Sequence, residues 1–185
     1  MTKRASKIFQ FKIKLRGITP MIWRRVQVKS DITFGMLHVF IFRAMGWEGY
    51  HLHEFVMCNP KKGYEDHIGR IDEEMDEDFI DEDKLRIDRY FSMTNNTARY
   101  VYDFGDDWEH DIVLEKILEA QEGITYPICL AGKRACPPED CGGVWGYKNL
   151  IEIMQDPDHD EYEEMVDWHG ELNPEAFDPK DVLFY

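Results

Sequence analysis

No stretch of the sequence holds the roughly 20 consecutive apolar residues that a membrane-spanning helix requires, and the opening residues MTKRASKIFQ lack the apolar block of a secretory signal. Both absences predict a cytoplasmic protein that keeps clear of membranes. Cysteine is scarce, with only Cys58, Cys129, Cys136 and Cys141, and in a reducing compartment these serve as thiols or metal ligands rather than disulfides. Serine is scarcer: Ser6, Ser30 and Ser92 are the only three, and none sits in a GxSxG elbow. A P-loop, a dinucleotide fingerprint and internal repeats are also missing. The recognisable serine-hydrolase and nucleotide-binding signatures are thereby excluded.

Acid is missing from one region only. The 30 residues up to Ser30 contain nine of the 22 Lys and Arg and none of the 37 Asp and Glu, although the whole chain carries a net charge of −15. A basic edge on an acidic body follows, and it has two readings. Clustered Lys and Arg can track phosphates, or they can pair internally with the acidic remainder, which an overall acidic surface favours.

What is present fits one domain, residues 1–185, with 43% hydrophobic and 14% aromatic residues. Phe9, Phe11, Ile13 and Leu15 alternate with Gln10, Lys12, Lys14 and Arg16, the period of a half-buried strand. Gly17, Thr19 and Pro20 mark a turn, and Met21 to Val28 reads as the returning strand. Phe34, Leu37, Phe40, Ile41 and Ala44 follow helical spacing between a cap at Asp31 or Thr33 and a stop at Gly46. HLHEFVM, residues 51–57, reads as a strand with His51, His53 and Phe55 on one face. The acid-dense Asp72 to Asp83 predicts a mobile loop, and residues 85–91 are compatible with either a short helix or a strand.

Residues 99–104 and 108–118 predict a second hairpin around Gly105, Asp106 and Asp107. A register with Phe104 opposite Trp108 puts Tyr102 opposite His110 and Tyr100 opposite Ile112. One face is then an aromatic ladder, and Asp103, Glu109, Asp111 and Glu115 share the other. Unpaired like charges there are destabilising, so the basic N-terminal hairpin or a metal ion is expected against them. Two C-terminal helices, residues 146–155 and 161–168, complete an α+β fold: an antiparallel sheet of two hairpins and a further strand, packed by one main helix with the C-terminal helices flanking.

The stretches YVYDFGDDWEHDIVLE, HLHEF and CPPEDCGGVWGY resemble the Ri-plasmid ORF-three-like (PRiA type) family, whose members also occur as passenger proteins of insertion elements. MIWRRVQV, MGWEGYHLHEF and EAFDP support the resemblance. It covers most of the chain apart from the acidic stretch. The family brings no established biochemical activity with it; its genomic company implies an accessory role in plasmid or mobile-element processes.

Two functions are compatible with the residues. The first is a non-enzymatic interaction domain that binds a protein or nucleic-acid partner through the rim formed by Asp103, Asp106, Trp108 and His110. The second is a metal-dependent hydrolase with His51, His53, Asp103 and His110 as ligands and Glu139 or Asp140 as general base. Zinc or another divalent metal is the cofactor such a set would take. Cys129, Cys136 and Cys141 form an alternative zinc set, although C-x6-C-x4-C lacks the paired close spacings of structural sites. Histidines beside Phe55, Trp108 and Ile112 are equally at home at the edge of a core.

Overall fold

The computed structural model describes residues 6–70, 79–170 and 172–185. Its alternating N-terminal residues form β1 (Ile8–Leu15) and β2 (Trp23–Lys29), an antiparallel pair with Ile8 opposite Lys29. Helix α1 (Phe34–Met45) begins at Thr33, whose hydroxyl accepts the Met36 N–H at 3.2 Å, and ends at Gly46 with φ 103°. After it come β3 (His53–Cys58), β4 (Glu65–Gly69) and β5 (Phe79–Asp81), then a 3₁₀ turn at Ile87–Arg89. The second hairpin supplies β6 (Thr97–Tyr102) and β7 (Trp108–Leu118), followed by β8 (Ile128–Lys133). Two helices, α2 (Gly143–Met154) and α3 (Tyr162–His169), and a 3₁₀ turn at Pro179–Asp181 finish the chain.

The architecture is α+β. One eight-stranded sheet runs in the order β5-β4-β3-β6-β7-β1-β2-β8, and every pairing is antiparallel except β4 with β5. The helix α1 buries Phe34, Leu37 and Ile41 in the same core as Phe11, Ile13 and Val26 from the N-terminal hairpin and Phe55, Tyr100 and Ile112 from the centre. Each such side chain contributes roughly 1.5–3 kcal/mol relative to exposure. No helix among the described residues is long and apolar enough to cross a membrane.

The far face of the sheet is ionic. Lys14 meets Asp111 at 3.5 Å, Arg16 meets Glu109 at 2.5 Å, and Arg25 grips Glu115 with two bonds of 2.7 and 2.8 Å. The acid-free hairpin therefore lies beside the acidic β7. Lys7 reaches Glu119 in the same way.

Several expectations need correction. The second hairpin is offset by two residues: Tyr102 pairs with Trp108, Tyr100 with His110 and Ala98 with Ile112. A shift of two keeps every side chain on its predicted face, but it releases residues 103–107 into a five-residue loop. Asp103 and Asp107 turn with φ of 60° and 54°, and the Asp107 N–H bonds Asp103 O at 2.7 Å. Phe104 is consequently 45% exposed rather than part of the ladder, and Asp103 leaves the acidic face. β4, β5 and β8 have no counterpart in the sequence reading. Residues 71–78 lie outside the described residues, so the mobile loop expected over 72–83 meets the structure only at its end. There Phe79–Asp81 form β5, and Glu82 is buried.

Candidate metal centre

The loop from Asp103 to Asp107 is held at both ends of its own turn. The Asp103 carboxylate accepts the Gly105 N–H through Oδ1 at 2.9 Å, and the Asp103 N–H donates to Leu52 O at 2.8 Å. This ties the loop to the segment entering β3. On its other side the loop meets the turn from Cys136 to Gly143. Asp106 Oδ2 accepts the Gly142 N–H at 3.1 Å, and Gly143, at φ 66°, lies so close that an added Cβ would stand 2.4 Å from Asp106 O. Only glycine permits that approach.

The same turn presents two acids. Glu139 Oε1 accepts the Tyr102 hydroxyl and the Glu48 N–H, each at 2.9 Å. Asp140, at φ 54°, accepts the Tyr50 hydroxyl through Oδ2 at 2.7 Å. Trp47 anchors the turn by donating its indole N–H to Pro137 O at 2.9 Å. Burial, then Glu139, raises the pKa of Tyr102, and the bond to Asp140 raises that of Tyr50. Both phenols therefore remain donors at neutral pH.

Between these two loops stands His51. Its Nε2 lies 3.1 Å from Asp140 Oδ1, 3.5 Å from Asp103 Oδ2 and 3.7 Å from Glu139 Oε2. Neither His51 Nε2 nor Glu139 Oε2 is solvent-accessible, and neither has a hydrogen-bond partner among the described residues. Among those residues, His51, Asp103 and Asp140 are the one group of three or more His, Cys, Asp or Glu whose ligand atoms all lie within 4.8 Å of one another. Three carboxyl groups thus converge on a single imidazole.

The remaining sequence candidates lie elsewhere. His53 begins β3 and turns into the core, whereas His51 precedes the strand and aims its Nε2 at Asp140 and Asp103, so the two imidazoles serve different partners. His53 Nε2 bonds Glu82 Oε2 at 2.6 Å, and its ring stacks on His38. His110 and Trp108 are both fully buried, with no surface to offer a partner and no reach to His51. Burial lowers the pKa of His110 to about 4. Among the described residues, no three cysteine sulfurs lie within 4.8 Å of one another. Burial pushes the Cys141 thiol up to about 12 and raises those of Cys129 and Cys136, which keeps all three protonated.

Sequence reasoning missed His38, Glu82, Tyr50 and Tyr102 as partners of these groups. Of the four, only His38 left a signal: it stands one helical turn after Phe34 on the apolar stripe of α1.

Comparison with known proteins matches residues 7–182 to the plasmid pRiA4b ORF-3-like protein family. The chain belongs to that family. It is 35% identical over 169 residues to the uncharacterized protein y4hQ of Sinorhizobium fredii (strain NBRC 101917 / NGR234), covering 89% of this chain and 82% of that protein. Among solved structures it resembles the crystal structure of MM3350, a protein of unknown function from Methanosarcina mazei Go1. That likeness has a TM-score of 0.91 at 49% identity and covers 97% of this chain and 99% of the other.

Proposed function

We propose that the protein is a metal-dependent hydrolase that holds one divalent transition-metal ion between His51, Asp103 and Asp140. The observation that carries this reading is the spacing around His51. Ligands about 2.0–2.2 Å from a tetrahedral ion stand roughly 3.3–3.6 Å apart, and the Asp140 and Asp103 oxygens lie 3.1 and 3.5 Å from Nε2. One nitrogen with carboxylate oxygens suits zinc or manganese better than calcium.

Held by His51, Asp103 and Asp140, such an ion would supply Lewis-acid activation of water. Glu139 is the general base in this reading. Its Oε1 is fixed by Tyr102 and Glu48 while Oε2 faces the centre without a partner. The experiment uses protein without a histidine tag, stripped with chelator and titrated with Zn²⁺ and Mn²⁺ by calorimetry, then screened on phosphoester and amide substrates. One equivalent should bind. His51→Ala and Asp103→Asn should abolish binding, and Glu139→Gln should bind metal but lose turnover. Absence of metal binding, or binding indifferent to His51→Ala, refutes the reading.

A second reading, a partner-binding domain, draws support from the exposed side chains that neighbour the site residues in sequence: Tyr50 at 58%, Leu52 at 47% and Phe104 at 45%. They replace the buried Trp108 and His110 as the contact surface. The pairing of the basic hairpin with Glu109, Asp111 and Glu115 favours a protein over a nucleic acid in any accessory role at plasmids or mobile elements. Phe104→Asp should weaken association with such a partner in a binding assay at two salt concentrations; DNA or RNA binding that steepens with falling salt and ignores Phe104→Asp argues against it.

A further inference from the structure

Two stretches singled out in the sequence, MIWRRVQV and EAFDP, take no part in the metal centre. They meet at a cavity of about 300 Å³ beside the C-terminal end of α1. Its floor includes Arg24, only 1% exposed. The guanidinium donates to three neutral carbonyls: Nε to Ala44 O at 2.8 Å, and Nη1 to Trp23 O at 2.9 Å and Lys133 O at 3.1 Å. Phe177 covers it with its ring centre 3.8 Å from Cζ.

This arrangement locates Arg24 without neutralising it. No carboxylate forms an ion pair with Arg24 among the described residues, although a buried charge ordinarily has one. Burial disfavours its charged form, yet a guanidinium stays protonated at any physiological pH. Nη2 makes no hydrogen bond among the described residues and is not among the sealed polar atoms, so its donors open on the cavity that Arg24 lines.

A second cation, Arg43 from the last turn of α1, lines the same cavity, and so do two acids, Asp178 and Asp181. Asp178 commits Oδ1 to the Lys180 N–H at 2.9 Å, which caps the 3₁₀ turn and leaves Oδ2 free. The rest of the wall is largely apolar, with Phe177, Met45 and Val182.

Two guanidinia, two carboxylates and an apolar wall in one small cavity select against simple ions. A plain anion meets the aspartates, and a plain amine meets the arginines. We propose that this cavity binds a free α-amino acid with an apolar side chain, its carboxylate on Arg24 and Arg43 and its ammonium facing Asp178 and Asp181. The volume stands at the small end of ligand pockets, which are roughly 300–1,000 Å³, and suits a ligand of that size. With Nε and Nη1 of Arg24 committed to carbonyls, Arg24 meets one carboxylate oxygen through Nη2, and the exposed Arg43 guanidinium supplies the second charge-assisted contact.

The test is calorimetry on the full chain with L-leucine, L-methionine and L-phenylalanine, alongside acetate, inorganic phosphate and butylamine. At least one amino acid should bind saturably, about tenfold or more tighter than acetate or butylamine, since it makes charged contacts at both ends where each of those makes them at one. Arg43→Ala and Asp181→Asn alter exposed side chains and should each weaken it by about tenfold while leaving the melting temperature and the metal titration unchanged. The proposal is overturned if no amino acid binds at millimolar concentration. It is equally overturned if acetate or phosphate binds as well as the amino acid, or if neither variant changes the affinity.

Discussion

The imidazoles of His38 and His53 lie face to face inside the molecule, with centroids 3.4 Å apart and planes 1° from parallel. One comes from α1 and the other from β3, and each has a single outward contact: His38 Nδ1 with the Tyr100 hydroxyl at 2.8 Å, His53 Nε2 with Glu82 at 2.6 Å. Two stacked imidazoles at this distance cannot both carry a proton without strong repulsion. Burial, helped by His53, holds the pKa of His38 at about 2.

Acid should therefore destabilise the fold well before its carboxylates protonate. The folded pKa values of His38 and His110, about 2 and about 4, lie below the unfolded value of roughly 6.5. The unfolded chain thus binds protons that the folded one refuses. Stability from these groups is complete above about pH 6.5 and falls by up to about 1.4 kcal/mol per group for each pH unit below it. Urea denaturation between pH 7.5 and about 4.5 should show this slope, and His110→Phe, which removes two buried ring nitrogens without hydrogen-bond partners among the described residues, should flatten it. An identical slope in that variant contradicts the assignment.

Glu82→Ala should destabilise the protein by about 1–3 kcal/mol, because it leaves His53 Nε2 buried without an acceptor. A neighbouring exposed acid serves as control. Asp83→Ala, next in the chain, should change the urea midpoint far less.

Arg25 and Glu115 form the best-made ion pair on the outer face, bound at two points. Arg25 holds the Glu115 carboxyl below its ordinary range. Its contribution is therefore present above about pH 4.5 and is lost as pH falls through the lowered value. Arg25→Ala should cost about 0.5–1 kcal/mol at low salt and less at high salt. A double-mutant cycle with Glu115→Gln measures the coupling, and a coupling near zero at low salt removes the pair from the list of stabilising contacts.

Gly143→Ala should be more disruptive than its size suggests. The methyl group would stand 2.4 Å from the Asp106 carbonyl at a φ of 66°, so the two loops around His51 must separate. A loss of about 1–3 kcal/mol in stability should accompany a weaker metal titration. Gly123→Ala, also at positive φ but with nothing within 4 Å, separates backbone strain from the clash.

The sequence revealed the local parts of this fold and concealed the non-local ones. The alternation from Phe9 to Arg16 and the stripe from Phe34 to Ala44 are complete within a few residues, and β1 and α1 lie where those patterns place them. β5, only three residues long and paired in parallel with β4, has no period to detect. The register of the second hairpin turned on whether Asp103 and Asp107 could adopt left-handed backbone, which residue type permits but does not require. The candidate site was half visible. Asp103, His51 and Asp140 were all singled out, but His53 and His110 were grouped with them by residue type, which says nothing of the partner each imidazole meets. No spacing rule separates a histidine that aims at a loop from one that stacks on another histidine across the core.

His51, Asp103 and Asp140 come from three different thirds of the chain, and the interlock of Asp106 with Gly142 and Gly143 joins the last of them to the rest. A nascent polypeptide accordingly cannot bring the three side chains together and lock them until Asp140, Gly142 and Gly143 have been synthesised. A chain truncated between β8 and Asp140 retains the residues of every described strand yet lacks one of the three clustered side chains, so if the proposed centre forms, such a truncation should abolish its metal titration.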